Sequence, residues 1–404
     1  MTAGGVERDP DRERDRGDDR DPWPADGPIR VESEPPLNWN EHTVDEAAGH
    51  VYQSLEWAAH RAASGWLPRY VVEPGGPGVL TLLRPWPQIG GSSAYIPRGP
   101  VPTGTPTESA HRLVAVAALL ADDGVDVVAA DPEVPANDTY RAVLADAGFH
   151  PIEEIQPSRH RMSLSLAGAD EEAAFQGISK STRQRVRQAE SDGVRVVRHD
   201  ARAGRGGPGE GFEPPPEPTP VALDRFYDLL LETGERRHFS FGPRESFVGW
   251  WTSAHRAGHL IHLEARAPAG DALAGLLLYR HGRRLSTVHS GDHEFARRDH
   301  PGALHLLRWR AIQLAIREGR DEMDLGGVDT TGARHEPKDG DATYGLYQHK
   351  RSFGAEWMEL AGAHEKVIRP NRYRAGRVMA RLARLLDRRP AGEASTESGG
   401  GGEA

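Results

Sequence analysis

The apolar alternation and the turn residues call for the same order of elements twice along this chain. Short strands are read at 67–73, 79–84 and 93–96, then a helix over 107–122, a strand over 125–130, a helix over 139–147 and strands over 149–155 and 161–166. A helix over 52–63 precedes them. After a helix over 175–191, a strand over 194–198 and a helix over 223–233, strands return at 260–266, 273–280 and 284–290. A helix over 302–318, a strand over 322–325, a helix or turn over 346–353 and a strand over 357–363 follow. Three strands, a helix, a strand, a further helix and more strands, given twice, constrain the chain to two copies of one α/β unit with mixed sheets.

Composition sets the limits of the two units. Residues 1–36 hold eleven acids and six arginines with almost no apolar content, so they are expected to be a disordered charged tail. Residues 390–404 read the same way, and 201–220 form a Gly/Pro-rich insert expected to be a mobile loop. That leaves a first domain at 37–166, a second at 167–366 and a C-terminal helix at 367–389. No run of eighteen apolar residues is present and the N-terminus is no secretory signal. The absence of cysteine excludes disulfides and thiolate metal sites and fits a reduced cytoplasm. Lysine supplies only four of the fifty basic residues, at 180, 338, 350 and 366, so each one is a candidate for a role that arginine does not fill.

Several short segments stand in a fixed order: Gln53-Ser54-Leu55-Glu56-Trp57, Tyr95-Ile96-Pro97-Arg98-Gly99-Pro100-Val101, and Ile155-Gln156-Pro157 leading into Leu164-Ser165-Leu166. They continue with the basic run from Lys180 to Ala189 closed by Gly193-Val194, then Asp324-Leu325-Gly326-Gly327, and Leu346-Tyr347-Gln348-His349-Lys350-Arg351-Ser352-Phe353-Gly354. The element order resembles the GNAT acyltransferase fold. Two copies in tandem with these segments resemble the Fem family of aminoacyltransferases (FemA, FemB, FemX), which build peptidoglycan cross-bridges. The resemblance covers about residues 50–366, and with no heptad stretch after the basic helix the chain is similar to the arm-less FemX type.

The resemblance implies two tandem GNAT-like domains, aminoacyl-tRNA as donor, and lipid II or UDP-MurNAc-pentapeptide as acceptor. No cofactor is implied, and a monomer is expected. The reaction is aminolysis of an activated ester, which needs positioning, oxyanion stabilisation and a proton acceptor for the attacking amine. The matching lysine of the Lys-x-x-Phe-Gly segment is Lys350, the leading catalytic candidate. For the acceptor's diphosphate and peptide the resemblance points to Arg61, one helical turn after Trp57, and to Arg237 and Arg244 in the segment GERRHFSFGPR; Tyr95 and Arg98, which flank the Pro97–Gly99 turn, could line the acceptor pocket or shape the turn. Lys180, Arg183 and Arg187 fall at i, i+3 and i+7, a candidate phosphate-binding stripe for tRNA or the sugar nucleotide.

Arg374, Arg377, Arg381, Arg384 and Arg388 recur at steps of three and four beside Val378, Leu382, Leu385 and Leu386, a basic amphipathic helix. It could contact anionic membrane or tRNA, or its leucines could pack on the first domain. Gly204–Gly209 matches GxGxxG but opens no helix. His255, His259 and His262, and His289 with His293, lack a carboxylate in a zinc pattern, so no metal is expected. Asp324 and Asp329 flank a Gly-Gly bend and are candidate bases. The alternatives are an acetyl-CoA-dependent GNAT enzyme, against which the single glycine of Ala296–Gly302 counts, and a non-catalytic scaffold that binds lipid II or tRNA.

Overall fold

A computed structural model describes residues 22–156, 159–203, 207–237, 242–328 and 335–387. Two seven-stranded mixed sheets form the frame. The first half supplies β1 (Arg30–Glu32), α1 (Leu55–Ala63), β2 (Leu67–Val72), β3 (Val79–Pro85), β4 (Ser92–Ile96), α2 (Pro106–Asp122), β5 (Val125–Ala130), α3 (Asp138–Asp146) and β6 (His150–Pro151). The second half supplies β7 (His160–Ser165), α4 (Glu171–Gly177), α5 (Lys180–Ser191), β8 (Arg195–Asp200), α6 (Thr219–Arg237), α7 (Arg244–Arg256), β9 (Leu260–Arg266), β10 (Ala272–His281) and β11 (Arg284–Asp292). It continues through α8 (Glu294–Asp299), α9 (Ala303–Arg317), β12 (Glu322–Asp324), α10 (Tyr344–Arg351), β13 (Glu356–Glu359), β14 (His364–Val367) and α11 (Pro370–Asp387).

The repeated order is present in both halves, but sheet membership does not follow the chain. Strand β7 pairs with β12 and β13 in the second sheet, and β14 returns from the far end of the chain to pair with β5 and β6 in the first. A boundary at residue 166 therefore cuts off β7 from its own sheet, and 37–166 lacks two strands of the first sheet, β1 and β14. The charged N-terminal segment also differs from expectation where it is described. β1 pairs antiparallel with β2, and Trp23 stacks on His42 at 4.1 Å between ring centres. Its few apolar residues are anchors that an average over 36 residues conceals. In the Gly/Pro insert, Phe212 is buried in the second core and Glu213 N donates to Val196 O at 2.8 Å, which ties that stretch to β8. Residues 1–21, 204–206 and 388–404 lie outside the described residues.

Local chemistry explains the elements. Thr105 and Glu108 form a reciprocal capping box with Pro106 at the first position of α2. The helix expected over 175–191 is broken at Ile178, and Ser179 caps α5 by accepting from Thr182 N. α7, unread in the sequence, places Phe247, Trp250, Trp251 and Ala254 on one face at helical spacing. α2 and α3 cover the outer face of the first sheet, and α5 and α9 that of the second. Between the sheets, α1, α6 and α7 bury Trp57, Phe226, Trp250 and Trp251 against Leu80 and Leu277 in one apolar cluster that draws on both halves. Each half keeps a core of its own on the outer face of its sheet, and the shared cluster joins the two.

One polar cluster interrupts that seam. Glu133, three residues past β5, accepts from Arg284 at the start of β11 and from Arg161 Nη1 on β7 at 3.3 Å, with Arg98 Nε at 3.9 Å. Arg161 in turn donates to Glu322 on β12 at 2.8 Å. Glu133→Gln is expected to cost about 3 kcal/mol, because buried arginines lose their counter-charge. Urea unfolding of the variant measures this, and an unchanged midpoint would show that the cluster does not hold the seam.

Candidate functional site

The second sheet opens where the first stays closed. β4 and β5 run parallel and remain paired from Ser92 to Ile96. β11 and β12 also run parallel, but they pair only over Arg284–Ser286, after which β11 continues to Asp292 and the chain leaves β12 through Leu325-Gly326-Gly327. A cavity of about 760 Å³ occupies the gap and extends to the first domain at His50, Tyr52, Arg98 and Glu133.

Lys350 lies in the wall of this cavity. It sits on the last turn of α10 and is 5 % exposed. Its Nζ donates to Gly326 O at 2.9 Å and to Gly327 O at 2.7 Å, so the cation is held at the point where β12 parts from β11. Gly326 has φ +77°, and an added Cβ there would approach Thr287 O to 3.0 Å and Lys350 Nζ to 3.4 Å, so a side chain would be strained and crowded against the lysine. Asp324 accepts from Gly326 N at 2.7 Å, which fixes the same bend. Burial pushes the Asp324 carboxyl up, against the opposing charge of Arg161.

Contacts order the charged groups along the cavity. At one end Glu133 gathers Arg98, Arg161 and Arg284. Burial alone would raise its carboxyl, but the charges of Arg284, Arg161 and Arg98 hold it well below the usual range. In the middle are Asp324, Lys350 and His160, whose ring stacks on Trp357 at 3.5 Å and accepts from Val328 N at 3.2 Å. At the other end Arg308 Nε donates to His349 Nε2 at 3.0 Å, and His305 and Arg185 complete a basic wall. Burial, with the charge of Lys350, takes the His160 imidazole down to about 3. Burial and neighbouring Arg308 lower His349, and burial lowers His305 and His289 to about 4.

The residues singled out in the sequence divide in space. Lys350 and Arg98 line the cavity. Tyr95 is buried behind Arg98, its hydroxyl donating to Asp131 at 2.9 Å. Burial raises that carboxyl to about 6. Arg61 is not among the lining residues; its guanidinium lies over Trp57 and Trp66 at 5.6 and 5.2 Å, one layer behind Tyr52. Arg244 is on the outside, paired with Asp224 and Asp228 and over the Tyr227 ring. The side chain of Arg237, and Asp329, lie outside the described residues. Lys180, Arg183 and Arg187 do not act as one open stripe. Lys180 is exposed, Arg183 Nη1 closes the α4–α5 junction by donating to Gln176 O and Ile178 O, and Arg187 covers Phe175. The α5 residue that reaches the cavity is Arg185. Among the described residues no group of three or more His, Asp or Glu is placed to hold a metal.

Sequence reasoning missed Glu133, His160, Arg161, Arg284 and Arg308. A signal existed for three of them: His160-Arg161 opens a strand and Arg308 stands amid apolar residues of a helix, where a charge needs a partner or a task.

Residues 252–381 match the FemAB family model. The fold is similar to that of FemX, with a TM-score of 0.67 at 18 % identity, covering 84 % of this chain and 98 % of that one. L-PGS from Bacillus licheniformis gives 0.47 at 13 % identity, over 90 % of this chain and 99 % of that one. A tandem GNAT protein from the clavulanic acid biosynthesis pathway gives 0.39 at 14 %, over 74 % and 82 %. No curated protein matches the chain by sequence. The family match is confined to residues 252–381, and over most of its length the chain shares the fold of FemX.

The buried imidazoles give the protein a signed pH response. In the unfolded chain each takes up a proton near pH 6.5, whereas His50 and His160 do so near 3 and His289 and His305 near 4 when folded. Between these values the unfolded state binds more protons, so their contribution to stability is present above about pH 6.5 and is lost as pH falls. Asp131 and Asp324, raised in the fold, act in the opposite sense but are outnumbered. Unfolding free energy is expected to drop steadily from pH 7 to pH 5, and a flat profile in urea titrations would contradict the neutral imidazoles.

Proposed function

We propose that this chain is an aminoacyltransferase that moves a small amino acid, glycine before others, from aminoacyl-tRNA to the stem-peptide amine of lipid II or its UDP-linked precursor. The observation that carries the reading is the clamped Lys350 at the parting of β11 and β12, inside a cavity that both domains line. The family match supports the reaction class.

In this reading the ester carbonyl of the charged tRNA lies beside Lys350. The acceptor amine forms the new C–N bond, and negative charge gathers on the carbonyl oxygen. A cation held by two backbone carbonyls needs no reorganisation to stabilise it. The C–O bond to the ribose then breaks, and the ribose oxygen takes a proton as it leaves. Asp324, a buried carboxyl lifted from its ordinary range, is assigned as the acceptor of the amine proton. The basic wall of Arg185, Arg308 and Lys350 suits the phosphates of the RNA end, and Arg98 with the first-domain end suits the acceptor. Arg61, one layer back, is assigned to shaping the Tyr52 wall. The protein acts in the cytoplasm on this reading, as a monomer and with no cofactor.

The acetyl-CoA alternative meets an obstacle at the start of α9. Its one glycine, Gly302, is occupied by helix packing, since a Cβ there would lie 2.2 Å from Arg185 O on α5. Lys350→Ala is expected to lower transfer from charged tRNA to lipid II at least about tenfold with the melting curve preserved. Asp324→Asn is expected to lower kcat with KM held. Folded variants that turn over at the parent rate would remove both residues from the chemistry.

A further inference from the structure

Helix α11 lies against the first domain by one face only. Tyr373 and Gly376 face inward, where Gly376 rests on the Trp86 ring, and Arg369 donates to Val125 O and Ala121 O just before the helix begins. Arg372 pairs with Asp126 at 3.6 Å. The opposite face carries Val378 and Leu382, 56 % and 48 % exposed, flanked by Arg374, Arg377 and Arg381. Arg374 and Arg381 have no carboxylate within ion-pair distance among the described residues. The helix holds five arginines and one aspartate, a net of +4 within a chain of formal charge −10. The reading in which the leucines pack on the first domain therefore does not hold for Leu382, and the side chains of Leu385 and Leu386 lie outside the described residues. The side chain of Arg384, and Arg388, lie outside the described residues.

We infer that the outward face of α11 docks on an anionic lipid surface. Charge complementarity selects a polyanion, since the exposed arginines cluster on a chain that is otherwise acidic. The two aliphatic side chains between them select among polyanions. An RNA backbone offers Val378 and Leu382 nothing to be buried in, whereas the headgroup boundary of a bilayer solvates arginines and accepts apolar side chains a few ångströms deeper. A second copy of the same face would set like charges against each other. No helix among the described residues is long and apolar enough to cross a membrane, so the contact is with the surface. The inference is independent of the chemistry assigned to the cavity, and its failure leaves that assignment untouched.

Vesicle flotation of the full chain tests it, with phosphatidylcholine vesicles made with and without phosphatidylglycerol, at about 50 mM salt, where charges are screened weakly. The protein is expected to float with the anionic vesicles and not with the neutral ones. Val378→Ser with Leu382→Ser is expected to weaken partition at least about tenfold, and Arg374→Glu with Arg381→Glu more than that. Both pairs point outward, so melting temperatures should hold and the losses report docking. Full-length protein that ignores anionic vesicles would overturn the inference. So would binding that the aliphatic double variant leaves intact and that free tRNA competes away, because the face would then be an RNA contact.

Discussion

The Glu133 cluster is the interaction on which the site depends. A carboxylate from the first domain is neutralised by Arg161 and Arg284 on two strands of the second, and Arg161 reaches on to Glu322 at the foot of β12. The parting of β11 from β12 is therefore positioned by a charge that neither strand carries. A buried ion group of this kind is a weak source of stability, because desolvation offsets most of the attraction. Its value here is geometric, since it fixes the mouth of the opened sheet against the first domain. The apolar cluster of α1, α6 and α7 supplies the cohesion on the other side of the seam.

The same opening explains why the second half carries the candidate chemistry and the first does not. β4 and β5 stay paired to their ends and leave no gap. β11 and β12 separate after three residue pairs, and the glycines that let the chain turn away from β12 also present the carbonyls that hold Lys350. The histidines around it are buried enough to stay neutral, so the permanent charges of the cavity are the lysine, the arginines and the carboxylates. That arrangement places a fixed positive charge in a partly desolvated gap, where it acts more strongly than in water.

Most of the fold was legible because its signals are local. Apart from β1, which lies in the segment read as a disordered tail, and β14, which was not read, the strands of both sheets and the helices α2 and α9 follow from apolar periodicity and turns. The exchange of β7 and β14 between halves was not legible, since a strand of six or four residues does not state which sheet it joins. α7 escaped because its aromatic face follows a basic, Gly/Pro-punctuated segment that reads as a loop. In the site, Lys350 was visible through its motif and the scarcity of lysine. Arg61 and Arg244 were implied by the resemblance and Arg183 by helical spacing, and the three are committed to tryptophans, aspartates and a helix junction. Spacing gives the face of a helix but not what lies opposite it, and the partners of Glu133 and Arg308 come from segments far away in the chain.

The donor that the cavity accepts decides which reaction the protein performs. The most direct measurement supplies the protein with lipid II, a full set of charged tRNAs and acetyl-CoA together, and weighs the lipid II product. A mass gain of one aminoacyl residue, abolished by ribonuclease treatment of the donors beforehand, is the predicted result. An acetyl gain that survives ribonuclease, or no gain from either donor, would contradict it.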